Sequence, residues 1–567
     1  MTPPRPTADI DGYVPFPDER IDAYYTEGYW EGRRLHDVLD QAATARPDAT
    51  MALTDEGPRS YSDMVESTER IASYLLGELD LEPLDRVVFQ VTNRVEFIEL
   101  FFGCARAGVI PVMLLPRHRE AEARHIVELA DAKAYFTLAG AEHAQFDYVG
   151  LVEDVFEDFD DLEYRVGIGG EAPEDWIDYD DLVESDWTEV HGDALDAVEV
   201  NPCDPAIFLL SGGTTGMPKA IPRTHNDYTF QWEHTAKAAG MTEDWVTMSS
   251  VPIGHNASIV AVLGPAVHAG ASFVLEPVLK PDRLADRIES AGVEYTFTVP
   301  AQLVDILDLP DIDERDLSSL RAVMSGGQKV RPQLVYDFVE RWDLEFYNIF
   351  GMAEGPLIFT RPGDSVDVQA NTVGTPIHPE ADELRIVDET REETVPTGDA
   401  GELAVRGPGY FTGYFRNPEE NAENFDEDGW FYTEDVLARR EDGNYEVFGR
   451  LKDTIIRGGE NIFAPGVEDE IMEHPSVENV AVVGMPDERL GQRPCAYVEL
   501  EDGVDALTLE TLVDFLDDRG VAVFKRPERL ELIEELPRTE VGKIEKVALK
   551  DDITTTLKRE GRLPEEY

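Results

Sequence analysis

The sequence predicts an α/β protein: a large N-terminal domain of layered, mostly parallel sheets with helices and a β-rich subdomain, then a small α+β C-terminal domain. Three observations carry that expectation. Over the first two hundred or so residues, short apolar runs alternate with helical patterns. From about Glu380 the texture turns to β, and past Arg450 a smaller unit begins with strands and helices of its own. The expected division is therefore 1–450 and 451–567.

Each element has its own signal. "DRVVFQVTN" (Asp85–Asn93) reads as a buried strand, "RVEFIELFFGCARAG" as a helix closed by its glycine, and "VIPVMLL" as the next strand. That rhythm belongs to a parallel sheet with helices on its faces. Residues 151–204, with "VEDVFEDFDDLEY" and "EDWIDYDDLVESDW", read as a surface-lying insertion with little core. The alternation resumes with "YTFTVPAQLVDIL" and "LRAVMSGGQKV", and "YNIFGMAEG" (Tyr347–Gly355) sets a strand end against a polar turn. "DELRIVDE", "GELAVRGPGYFTGYF" and "GNYEVFGR" are the β-rich part. In the small domain "VENVAVVGMP" and "RPCAYVEL" read as strands, "APGVEDEIMEHP" and "TLETLVDFLDDRG" as helices.

Composition narrows the function. At 567 residues the chain exceeds one hydrophobic core, and 42% apolar residues are enough to build more than one. Lys and Arg number 49 against 117 Asp and Glu, a net charge of −68. The carboxylates are spread along the whole length, which excludes an acidic tail, and the normal apolar content opposes disorder. An enzyme working in concentrated salt, where self-repulsion is screened to about 3 Å at 1 M, fits best. A nucleic-acid partner is disfavoured, because there is no basic stripe to meet phosphates. Cys104, Cys203 and Cys495 are far apart, with no C-x-x-C pair, as suits a reducing cytoplasm. The opening residues carry no apolar signal core. Ala257–Leu275 has 19 residues without Asp, Glu, Lys or Arg. Gly264-Pro265 and Gly270 interrupt it, so a buried helix and strand are expected and no membrane span. The expected location is the cytoplasm.

The most unusual stretch is "LLSGGTTGMPKAIPRTH", Leu209–His225. It fails the Walker pattern, because Pro218 precedes Lys219 and Ala220 follows it, and it fails G-x-G-x-x-G. What remains is a loop whose backbone N–H groups and Ser211, Thr214 and Thr215 hydroxyls can wrap a polyphosphate, with Lys219 as cation. By itself it fits an ordinary glycine-rich turn equally well.

Four further motifs follow in order: "FGMAEG", "YTEDV", "GRLKDTIIRGGENI" and "LPRTEVGKIEK". Together they resemble the adenylate-forming superfamily from about residue 25 to 550. The "YYTEGYWEGRRLHDVL" opening and the Ile-Pro-Arg-Thr-His continuation are most similar to the branch of 2,3-dihydroxybenzoate/salicylate AMP ligases. The resemblance implies two steps: a carboxylate attacks the α-phosphate of MgATP, and then a phosphopantetheine or CoA thiol displaces AMP. It places pyrophosphate in the loop Ser211, Gly212, Gly213, Thr214, Thr215, Gly216 and Lys219, and Mg2+ on Glu354. Adenine would lie against Gly326, Gly327, Ile349 and Ala353, and the ribose would meet Asp435 and Arg450. Glu434 departs from the family, which has glycine before that aspartate. Lys543 matches the lysine bridging the reacting carboxylate and phosphate, against the plainer reading of one solvated lysine among Lys546 and Lys550. Lys452 matches the hinge on which the small domain turns between half-reactions.

The resemblance also implies that His255-Asn256 faces the acid, with Asn256 meeting an ortho-hydroxyl; alone, Asn256 reads as a helix cap. After it "ASIVAVLG" is shorter and more apolar than the branch's serine-bearing run, so Ser258 would have to replace a substrate-facing serine. Salicylate or another benzoate then fits as well as 2,3-dihydroxybenzoate. The partners implied are a small aryl acid and an aryl carrier protein. A CoA ligase is the alternative, and an adenylate-binding regulator is opposed by the intact Lys219, Glu354, Asp435 and Lys543.

Overall fold

The computed structural model describes residues 3–7, 10–140, 146–211, 217–458, 460–501, 503–504, 506–538 and 544–564. The chain forms two compact units. One contains the chain up to the glycine loop, Met217–Glu383 and Val405–Phe431; the other contains Leu384–Ala404 and Tyr432–Tyr567. Leu384–Ala404 and residues 432–450 thus group with the residues that follow Arg450.

The first unit holds two mostly parallel sheets. Seven strands run in the order Ile177–Asp178, Tyr164–Ile168, Ala132–Leu138, Arg86–Gln90, Ile110–Met113, Pro205–Leu210 and Ala220–Thr224. Only the last pair is antiparallel, Leu210 opposite Ala220. The crossover between Arg86–Gln90 and Ile110–Met113 is the helix Val95–Ala107, buried on nearly all sides and ended by left-handed Gly108. Nine strands make the second sheet, its centre formed by Val246–Ser249, Tyr295–Thr298, Ala322–Gly326 and Glu345–Gly351 in parallel register. Thr50–Thr54 joins it through Ser272–Val274, Ala52 opposite Phe273.

Residues 151–204 correct the sequence reading. Tyr164–Ile168 and Ile177–Asp178 extend the first sheet by two parallel strands. Leu151, Val152, Val155, Leu162 and Trp176 are buried in its core. Alternation along "YRVGI" sinks Val166 and Ile168 while the acidic residues stay outside. Only the helix Trp187–Ala197, which buries nothing completely, matches the solvated face expected.

In the second unit the strands run Glu383–Val387, Ala400–Arg406, Phe431–Arg439 and Tyr445–Arg450 in one sheet. Another sheet orders Glu460–Phe463, Thr454–Arg457, Gly491–Leu500 and Val477–Asp487, with Arg529–Leu532 parallel to Gly491–Leu500. Helices Ala464–Met472 and Leu509–Asp518 cover one apolar cluster, and Lys546–Glu560 covers a second. Among the described residues no helix is long and apolar enough to cross a membrane. The three cysteines are free and buried.

Candidate active site

The glycine loop hangs between antiparallel strands, and its neck is closed by two hydrogen bonds. Ser211 N–H donates to Lys219 O at 2.9 Å, and Lys219 N–H to Ser211 Oγ at 2.9 Å. The Ser211 hydroxyl therefore clasps the loop. His125 Nε2 donates to Pro218 O at 3.0 Å from the side. Gly212, Gly213, Thr214, Thr215 and Gly216 lie outside the described residues.

Lys219 reaches two groups the sequence reading missed. Its ammonium pairs with Glu420 and lies 4.9 Å from the centre of the Tyr414 ring. The Tyr414 hydroxyl donates to Glu354 Oε1 at 2.8 Å. One tyrosine therefore touches both the loop lysine and the carboxylate of "GMAEG". Glu354 sits in the turn after strand Glu345–Gly351, its carbonyl accepting Phe411 N–H at 2.9 Å. Gly355 follows at φ +136°, where a Cβ would collide with the Tyr410 backbone, so only glycine passes. Half-buried carboxylate oxygen is the donor a hard cation takes. Among the described residues no three His, Cys, Asp or Glu converge on a metal position. A cation at Glu354 would therefore draw its other ligands from phosphate and water, as Mg2+ commonly does.

Gly326 and Ile349 are paired in adjacent strands, so close that a Cβ on Gly326 would meet the Ile349 carbonyl. Gly327, at φ +79°, faces open space. The structure thus brings the residues assigned to adenine to one sheet end, with Ala353 in the following turn.

Arg223 is the centre of the site's support. It is fully buried and paired with Asp227 at 2.8 Å. It also donates to Ala353 O at 2.7 Å and Gly409 O at 2.6 Å. Asp227 in turn accepts from Thr224 N–H and Oγ1 at 2.7 and 2.9 Å. A lone arginine in the apolar strand "AIPRT", with an aspartate four residues on, is the signal that could have found this pair. The guanidinium lies 4.9 Å from the Tyr228 ring. Burial pushes the Tyr228 phenol far above its usual range, so it keeps its proton.

That proton is donated to Asn256 Oδ1 at 2.7 Å, while Asn256 Nδ2 donates to Met352 O at 3.3 Å. A carbonyl can only accept, so the Met352 contact fixes which end of the amide is which. His255 is exposed and its Nδ1 accepts Ala257 N–H at 3.2 Å. Ser258 is fully buried beneath the loop, its hydroxyl on Ser249 Oγ at 2.6 Å and Pro252 O at 2.9 Å. Ile259–Leu263 is a π-helical turn, all buried, whose Ala261 carbonyl accepts the Tyr295 hydroxyl at 3.0 Å. Asn93 clamps the approach to the loop, donating to Val251 O at 3.0 Å and accepting Ile253 N–H at 2.7 Å.

In the second unit Asp435 is buried and opposite Arg450, whose Nε reaches Oδ1 at 3.1 Å. Lys452 is exposed in the short turn Leu451–Asp453, its carbonyl accepting Lys550 Nζ at 2.9 Å. Lys543 lies outside the described residues. The lysines that follow it are engaged elsewhere: Lys546 with Glu468 at 2.6 Å and Lys550 with Asp453 at 3.0 Å.

Comparison with known proteins identifies the family. The AMP-binding enzyme family model matches residues 39–415, and the AMP-binding enzyme C-terminal domain matches 466–543. A salicyl-AMP ligase / salicyl-S-ArCP synthetase of Mycobacterium tuberculosis is 38% identical, over 96% of this chain and 95% of that one. A 2,3-dihydroxybenzoate-AMP ligase of Bacillus subtilis is 34% identical, over 97% and 99%. The crystal structure of the anthranilate CoA ligase AuaEII with anthranoyl-AMP superposes with a TM-score of 0.83, at 25% identity over 93% of this chain and 98% of that one. The chain belongs to the AMP-binding enzyme family, with both the large domain and the C-terminal domain of that family present.

Proposed function

We propose that the protein is an aryl-acid:AMP ligase of the salicylate or 2,3-dihydroxybenzoate type. The observation that carries this reading is Asn256, pinned between Tyr228 and the Met352 carbonyl beside the "GMAEG" turn. An amide has two donors and two acceptor lone pairs. Two are used, which leaves one N–H and one lone pair for an ortho-hydroxyl on the acid. The same amide ties the acid pocket to the turn carrying Glu354, so filling one side orders the other.

In the first step a carboxylate oxygen attacks the α-phosphorus of ATP, and the bond to the bridging oxygen of pyrophosphate breaks. Two anions must be brought together, so the chain contributes neutralisation and alignment. Lys219 and the loop Ser211–Gly216 hold the leaving phosphates. Gly326, Gly327, Ile349 and Ala353 receive the base, and Asp435 with Arg450 the ribose. Lys543 bridges the reacting carboxylate and phosphate. Glu354 would hold Mg2+, which when bound polarises the phosphate oxygens. Ser258 acts one layer back, keeping the acid loop in shape, and His255 caps it. Residues 451–567 then turn about Lys452, and a pantetheine thiol attacks the acyl carbonyl and expels AMP. The acceptor in this reading is an aryl carrier protein, and the charge of −68 suits a cytoplasm rich in salt.

The test is ATP–pyrophosphate exchange in molar KCl with salicylate, 2,3-dihydroxybenzoate, benzoate and a medium-chain fatty acid. Exchange with the 2-hydroxyaryl acids, lost in Lys543→Ala, is expected. Asn256→Leu should reduce their advantage over benzoate roughly 5- to 150-fold, the cost of burying the ortho-hydroxyl without a partner. Exchange with the fatty acid alone would overturn the aryl reading. A second reading, with CoA as acceptor, is favoured by the likeness to the anthranilate CoA ligase. Mass analysis of the product formed with CoA and with a holo carrier protein separates the two.

A further inference from the structure

The strand Phe431–Arg439, which carries Asp435, holds one residue against its own backbone preference. Glu434 has φ +59°, a left-handed conformation that side chains other than glycine and asparagine seldom adopt. Arg391, far away in sequence, has φ +61°. Both are tied to one buried carboxylate. Glu402 is 4% exposed and accepts the Glu434 N–H at 3.1 Å. It is gripped by Arg391 through Nε at 2.7 Å and Nη2 at 2.9 Å, a two-pronged pair. The same guanidinium lies 4.4 Å from the centre of the Tyr432 ring, on the strand two residues before Glu434. On the other side of Glu434, Thr433 Oγ1 donates to Leu403 O at 2.9 Å and accepts the Asp435 N–H at 3.2 Å. On this side Asp435 thus rests on Glu402 and its strand neighbour Leu403, and on the other it is paired with Arg450.

We propose that Glu402, oriented by Arg391, is a positioning residue for the nucleotide site. It holds Glu434 in its left-handed conformation within the strand and through it aims the Asp435 carboxylate at the ribose. The inference rests on the reading of Asp435 as the ribose ligand. Its physical content is a dependence. A glycine at 434 would take the left-handed conformation unaided, and Glu402 would then be dispensable for aiming Asp435.

The experiment compares kcat and KM for ATP and 2′-deoxy-ATP in the full-length wild type, Glu402→Gln, Glu434→Gly, the double variant and Asp435→Asn. In Glu402→Gln the amide group replaces one acceptor of the guanidinium, so the fork is broken. KM for ATP should rise about 10-fold, at the low end of what a hydrogen bond to a charged group is worth. KM for 2′-deoxy-ATP should move far less, and kcat for both should stay close to wild type. Discrimination between the nucleotides therefore shrinks, and Glu434→Gly should restore it in the double variant. A structural role alone would depress both nucleotides together and would not be rescued by glycine. If discrimination survives Glu402→Gln, or stays lost in the double variant, the proposal is overturned. If Asp435→Asn leaves discrimination intact, the ribose reading itself fails, which is a separate result. Should Glu402→Gln not fold, Arg391→Lys, on the partly exposed side chain of the pair, is scored on the same ratio.

Discussion

The contact between Lys219 and Glu420 makes a prediction about how ATP enters. The lysine proposed to hold the leaving phosphates is already bound to a carboxylate, and ATP must take it away. Both side chains are about one-third exposed, 33% and 29%. At that exposure an ion pair is worth about 0.2–1 kcal/mol, or roughly 1.4- to 5-fold in an equilibrium constant. Glu420→Gln removes the charge and keeps an oxygen for Asn424 Nδ2, which donates to Glu420 Oε1 at 3.1 Å. KM for ATP should therefore fall by that factor at 0.1 M KCl or so. The gain should shrink towards 1 M, where the screening length drops from about 10 to 3 Å. Exchange rates against ATP concentration at the two salts measure it. An unchanged KM at low salt would refute the competition. A raised KM would mean that Glu420 holds Lys219 in its working position.

Three other perturbations follow from the geometry. Arg223→Met strips a fully buried carboxylate of its partner and should cost about 3–5 kcal/mol, read as a lower urea midpoint for the first unit. Tyr414→Phe deletes the hydroxyl on Glu354 and should raise the Mg2+ concentration needed for half-maximal exchange several-fold, with the unfolding midpoint little changed. Burial pushes the Asp382 carboxyl up to about 7, partly opposed by the His378 N–H and the Tyr410 hydroxyl. Its unfolded value is near 3.9, so between about pH 4 and 7 the native state binds the extra proton. Stability should fall as pH rises through that window, by on the order of 4 kcal/mol, and be flat above it. In Asp382→Asn that part of the slope should vanish in pH-dependent urea melts.

The parallel sheets were legible because buried strands and their crossover helices write themselves as apolar runs of different period. The strand Tyr164–Ile168 was not, because the surrounding acidic residues outweigh its two buried side chains in any window. Motifs singled out Ser211, Lys219, Glu354 and Asn256. Tyr414 and Glu420 were not legible, because a hydrogen bond between residues 60 or 201 positions apart leaves no local pattern, whereas Arg223 and Asp227 did leave one that went unread. Texture announced the β-rich region but not that it is shared out, Leu384–Ala404 grouping with the C-terminal residues and Val405–Phe431 with the chain before them. Glu434 was visible as a departure; the buried carboxylate that makes it tolerable was not.

The pairing of Thr50–Thr54 with Ser272–Val274 also sets a timetable for synthesis. The earlier strand leaves the ribosome about 220 residues ahead of its parallel neighbour. At roughly 5–20 residues per second, that is a wait of about 10–40 s. Throughout it the nascent chain has only the hairpin mate Gly57–Ser60 for that strand. A chaperone that shields short apolar strands would find its substrate in this window, and synonymous codons that slow translation before residue 272 would lengthen it.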